Sequence, residues 1–62
     1  MNIDNIKFGD ILDAYIEGSP TQRVMVVAKD EELIYGINSD DKEFAIDPKN
    51  EVEKVIVNIK DL

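Results

Sequence analysis

The sequence predicts a small all-β domain, folded as a five-stranded antiparallel barrel with one short helical turn, and three observations point to it. Apolar residues alternate with polar ones in short segments between Arg23 and Asp47, which is the period of a half-buried strand. Nine Ile and six Val enrich the chain in β-branched side chains, which pack well on a pleated surface. Asn, Asp, Ser and Gly clusters then punctuate the apolar segments at short intervals, as turns do.

The segment from Phe8 to Gly18 admits two readings. As a helix, it is capped by Asp10, carries a stripe of Ile11, Leu12, Tyr15 and Ile16, and stops at Gly18. As a strand, it turns Leu12, Ala14 and Ile16 inward and Asp13, Tyr15 and Glu17 outward. The strand is preferred because the remaining segments then close a barrel and hide their edges. The alternative is an α+β fold, with this helix packed on a four-stranded meander. Arg23 to Lys29 is compact and β-branched, the mark of a buried strand. Asp30-Glu31-Glu32 reverses the chain into Leu33 to Ile37, where Leu33, Tyr35 and Ile37 share one face. Asn38-Ser39-Asp40-Asp41-Lys42 is a turn by its side-chain chemistry. Glu43 to Asp47 follows with Phe44 and Ile46 inward. Asp47-Pro48 sets a capping carboxylate before a proline, the start of a single helical turn through Lys49-Asn50-Glu51. Lys54 to Ile59 is the last strand, with Val55, Val57 and Ile59 on one face.

With these elements placed, Lys7-Phe8-Gly9-Asp10-Ile11-Leu12 resembles the basic–x–Gly–Asp–Ile/Val start of the first strand in many SH3-like small barrels. The order of loop, three-stranded meander, helical turn and closing strand is similar as well. Proline-binding members of that superfamily grip their ligand with an aromatic-lined groove. This chain has no Trp and only Tyr15 and Tyr35 as tyrosines, so the resemblance implies the fold and not polyproline recognition. Gly9-Asp10-Ile11, then Gly18-Ser19 and Gln22-Arg23 before a Val-rich strand, is also similar to the N-terminal pattern of toxin endoribonuclease barrels from toxin–antitoxin pairs. Val24 stands where that pattern has a proline.

Composition then narrows the function. At 62 residues the chain is one domain. It has neither Cys nor His, which removes disulfides, zinc knuckles and every Cys or His nucleophile–base pair. The longest apolar run, Val24 to Ala28, is far short of the ~20 residues of a membrane helix. The N-terminal residues carry no basic region and no apolar signal core, so a cytoplasmic protein is expected. Most carboxylates lie in turns or on outward faces, whereas general acid/base work needs one desolvated. Residues 38–43 offer oxygens but lack the Gly and the length of a calcium loop. No catalytic, cofactor or metal residues are assigned, and the chain is not expected to be an enzyme.

What stands out is a surplus of apolar side chains. Met25 and Val27 oppose Val24, Val26 and Ala28, and Ile34 and Ile56 occupy the outer parity of their strands. So small a barrel cannot bury both faces. Either Met25, Val27, Ile34 and Ile56 form an exposed patch, which marks an interface, or Ile3, Ile6 and Phe8 cover them as an N-terminal lid. Arg23 is either a partner anchor or the mate of a nearby carboxylate. The expected function is a protein–protein interaction module or small regulator, binding a protein partner or its own copy. The alternative is an acidic decoy that mimics nucleic acid and occupies a DNA- or RNA-handling protein. Against the decoy stands a magnitude: duplex DNA as long as such a globule carries about 16 phosphates, while the net charge here is −7.

That charge generates the first expected outcome. Titration of labelled duplex or single-stranded DNA at low salt gives no binding, because a net-acidic protein repels a polyanion. Salt-sensitive micromolar binding would mean that several of Lys7, Arg23, Lys29, Lys42, Lys49, Lys54 and Lys60 gather on one face.

Overall fold

Residues 3–15 and 21–62 are described in the structure, a computed structural model. The predicted alternation becomes five strands: β1 (Asp10–Ala14), β2 (Gln22–Lys29), β3 (Ile34–Ile37), β4 (Glu43–Ile46) and β5 (Val52–Asn58). All pairings are antiparallel, in the order β4-β3-β2-β1-β5. Short 3-10 turns at Ile3–Asn5 and Ile59–Asp61 flank the sheet. The chain is all-β, and the helical reading of Phe8–Gly18 gives way to strand at Asp10–Ala14. The expected positions of Ile16, Glu17, Gly18 and Ser19 fall outside the described residues.

The core shows how one sheet shelters itself. Leu12 and Ala14 from β1, Val24 and Val26 from β2, Ile34 from β3 and Ile46 from β4 are fully buried, with Ile6 plugging one end. Val52, Val55 and Phe44 pack against them. Among the described residues no helix or second sheet lies over this face. A flat sheet would leave it wet, so the sheet coils around its own inner side. Its hydrogen-bonded ladder nevertheless ends at β4 and β5. Four residues in β4 and two register shifts in β5 blunt those edges, as short and bulged edge strands do.

Three bulges correct the faces that simple alternation assigns. In β2, Val26 pairs with Gly36 but Ala28 with Tyr35, which leaves Val27 unpaired. Lys29 therefore returns to the inner side, opposite Ile34, and its ammonium donates to the carbonyls of Ile6 (2.9 Å) and Ile3 (3.3 Å). In β5, Ile11 pairs with Val57 but Leu12 with Val55, so Ile56 is the extra residue and Glu53 is another. Val55 and Val57 thus lie on opposite faces, not on one. Ile59 leaves the strand altogether for the closing 3-10 turn. Ile34, expected on the outer side, is 0% exposed, while Tyr35 and Ile37 face outward. The phase of β3 is set by Ile34 meeting Ile46, and Gly36 leaves room for Val24, whose Cγ2 lies 2.8 Å from where a Cβ would stand.

The turns follow their side-chain chemistry. Asn38 accepts from the amides of Asp40 (2.9 Å) and Lys42 (3.0 Å), and Asp41 takes a left-handed φ of 62°. Asp47 accepts from the Lys49 amide (2.9 Å) while its own amide donates to Glu51 Oε1 (2.8 Å). This reciprocal cap closes one turn around the buried Pro48. The N-terminal segment does enter the core through Ile6, yet Phe8 remains 64% exposed.

The tightest junction joins the start of the first strand to the end of the last. Asp10, only 6% exposed, accepts from the Lys7 amide (2.9 Å) and from Asn58 Nδ2 (2.8 Å). Asn58 also donates to the Phe8 carbonyl (3.1 Å) and accepts from the Lys60 amide (2.9 Å). Between them, Gly9 donates to the Val26 carbonyl and accepts from the Ile59 amide, both at 2.8 Å. Gly9 has a φ of +87°, and a Cβ there would stand 2.6 Å from Ile59 Cγ2. Gly9→Ala is therefore expected to cost about 1–3 kcal/mol, from the left-handed backbone and the clash together. Urea unfolding checks this: the midpoint should drop with an unchanged slope, and an unchanged midpoint would refute the tight packing.

Candidate protein-binding surface

The outer face is built from the same registers that fill the core. Leu12, Val24, Val26 and Gly36 turn inward, so Ile11, Met25 and Ile37, which alternate with them, turn out. The ladder sets Val57, Ile11, Met25 and Ile37 side by side across β5, β1, β2 and β3. All four are half-buried, and the row ends on β4 at Glu43, opposite Ile37. Apolar neighbours directly across a ladder support one another. A continuous apolar row across four strands is more than the scattered exposure of ordinary surfaces.

Beside this row runs a charged one. Asp13 lies opposite both Arg23 and Lys54, and Arg23 Nε donates to Asp13 Oδ1 at 3.0 Å. This hydrogen bond and the adjacent guanidinium hold the Asp13 carboxyl below its usual range, and the same bond raises the Arg23 guanidinium. Arg23 is the solvent-facing member, its side chain 65% exposed against 14% for Asp13, and so open a pair adds little stability. On the other flank lie Ala28, Tyr35 and Ala45, joined by register, with Val27 at the bulge. Tyr35 donates its hydroxyl to Asp30 Oδ2 at 2.7 Å, which raises the phenol above its ordinary value. At the far end of β1, Glu53 raises the Tyr15 phenol through its charge and a hydrogen bond.

A shallow depression of about 400 Å³ sits in this face, lined by Ile11, Arg23, Val24, Met25, Ile37, Asn38 and Ser39. Met25 and Arg23 thus both line it, and Val27 lies half-buried one flank away. Ile56, 40% exposed, stands beside Val57 at the β5 bulge. Ile34 does not belong to the surface, since it is sealed in the core. Ile11, Ile37 and Val57 are the members that sequence reasoning missed. Ile11 was legible, because turning Leu12 inward turns Ile11 outward; the bulges hid Val57.

A groove of about 890 Å³ runs between the β2–β3 turn and the Asp47 turn, lined by Ile3, Leu33 and Pro48 with Glu31, Glu32, Asp47 and Lys49. Among the described residues no group of three His, Cys, Asp or Glu is placed to hold a metal ion. No helix among them is long and apolar enough to cross a membrane.

Acid should loosen the β2–β3 turn. Asp30 accepts from the amides of Leu33 (2.7 Å) and Glu32 (2.8 Å) and from Tyr35, and these bonds lower its carboxyl below the usual range. A depressed folded-state value means the contribution is complete above the unfolded value and is lost as pH falls through the folded one. The urea midpoint should therefore decline below about pH 4, and less steeply in Asp30→Asn. Equal acid slopes in the two proteins would contradict the assignment.

No protein-family model, no curated protein and no solved structure matches this chain.

Proposed function

We propose that the chain is a non-enzymatic protein-interaction domain of the SH3-like barrel type, acting through the outer face of β5, β1, β2 and β3. The observation that carries this reading is the row Val57–Ile11–Met25–Ile37, apolar across four strands and bordered by Lys54, Asp13 and Arg23. Interfaces are built this way, with an apolar centre and a polar rim in which Arg and Met are enriched. The strand order β4-β3-β2-β1-β5, with a capped turn before β5, supports the barrel type. The apolar row and its charged border support binding. The acidic decoy would instead use the groove flanked by Glu31, Glu32 and Asp47.

A contrast of two charge insertions tests it. Met25→Lys adds an ammonium to a half-buried outer position where a long stem can reach water, and the protein should melt cooperatively near the wild type. Ile34→Lys places a charge in the sealed core without a partner, at several kcal/mol, which exceeds the roughly 3–5 kcal/mol such a domain holds. It should unfold. Met25→Lys should also abolish capture of a purified binding protein while Glu32→Lys does not; the reverse pattern would move the site to the acidic groove. Unfolding of Met25→Lys would show that the row is core and not a docking face.

A further inference from the structure

The apolar row has a symmetry that selects its occupant. We propose that the face docks a second copy of this chain, across a two-fold axis running along the strands between β1 and β2; this rests on the reading that the outer face is a docking surface. Such an axis exchanges β1 with β2 and β5 with β3 and keeps each row level. Met25 then meets Ile11 of the second copy, Ile37 meets its Val57, and Arg23 meets its Asp13. Each contact occurs twice, as an isologous interface requires. Lys54 falls over the second copy's 38–41 turn, which carries Asp40 and Asp41. The depression at Ile11, Met25 and Ile37 receives the ridge of Val57 and the exposed Ile56. A two-fold between β5 and β1 would also set Val57 on Ile11 and Lys54 on Asp13, but no strand lies beyond β5, so Met25 and Ile37 would stay uncovered. An axis through β1 itself would set Asp13 against Asp13.

Charge points the same way. Two chains of net −7 repel, so a copy can dock only where the contact is locally neutral. Across this contact Arg23 meets Asp13 and Lys54 lies over the turn with Asp40 and Asp41, so each cation faces an acid, while Glu43 on β4 falls outside it. Glu53 turns to Tyr15 at the margin, and Asp30, Glu31, Glu32 and Asp47 lie in turns away from the contact. Size also requires a broad face. A standard interface covers about 800 Å² per copy, near a fifth of the 4231 Å² surface, which four strands can supply and the four-residue edge of β4 cannot.

Sedimentation of the full chain between about 1 μM and 1 mM tests the proposal, with melts run on every variant. A reversible monomer–dimer equilibrium with no larger species is expected. Arg23→Asp and Asp13→Arg should each raise the dimer dissociation constant at least about tenfold, because two symmetric contacts turn repulsive. Combining both substitutions re-forms the 13–23 pairs across the contact, with a like charge left beside Lys54 within each chain, and should restore it to within about threefold. Should either single reversal lose its fold, Arg23→Gln at this exposed position keeps the charge test available. A monomer at the highest concentration, or a dimer indifferent to all of these changes, overturns the proposal. A monomer whose Met25→Lys variant stays folded and loses a different purified protein would overturn the copy as occupant and leave the docking face standing.

Discussion

One buried carboxylate holds the molecule together. Asp10 begins β1 at 6% exposure and must replace its lost water with fixed donors, since an unsatisfied buried charge costs several kcal/mol. The Lys7 amide and Asn58 supply them. Among the described residues no buried side-chain polar atom lacks a partner, and here that condition joins positions 48 residues apart. The same turn lets Gly9 reach β2 at Val26 and the closing 3-10 turn at Ile59. First strand, central strand and last strand are thus fixed at one point, and Ile6 just before it drops into the core.

From that point the bulges determine what each face presents. With Asp10 level with Asn58, the extra residue at Ile56 sends Val57 outward beside Ile11 and keeps Val55 inside beside Leu12. The extra residue at Val27 keeps Val26 inside and returns Lys29 to the inner rim, where it binds the carbonyls of the N-terminal turn. A one-residue slip in either strand would move an apolar set to the wrong face. The interior and the outer row are therefore two results of the same registers, and a domain this small specifies its surface as tightly as its core.

Much of this was legible in the sequence, for particular reasons. The 38–42 turn, the cap at Asp47 and the inward Phe44 and Ile46 each follow from local chemistry that nothing distant overrides. Leu12 and Ala14 were read correctly once Phe8–Gly18 was taken as a strand, and the closing of the edges favoured that choice. The pairing of Arg23 with a nearby carboxylate was anticipated as one of its two uses, and the structure makes that carboxylate Asp13. The errors at Ile34 and Val57 share a cause. Strand phase passes through a turn or a bulge by way of partners on other strands, and no residue beside Ile56 or Val27 announces the extra position. Asn58 was invisible for a related reason, because its partners Asp10 and Phe8 lie 48 and 50 residues away.

A double-mutant cycle on Asp10 and Asn58 tests the central claim most directly. Asp10→Ala and Asn58→Ala should each lower the unfolding free energy by about 1–3 kcal/mol. The two together should cost clearly less than the sum, with a coupling of about 1 kcal/mol or more, as residues in one hydrogen-bond network show. Costs that add to within about 0.3–0.5 kcal/mol would mean the two side chains act independently, and the junction would not be what fixes the sheet.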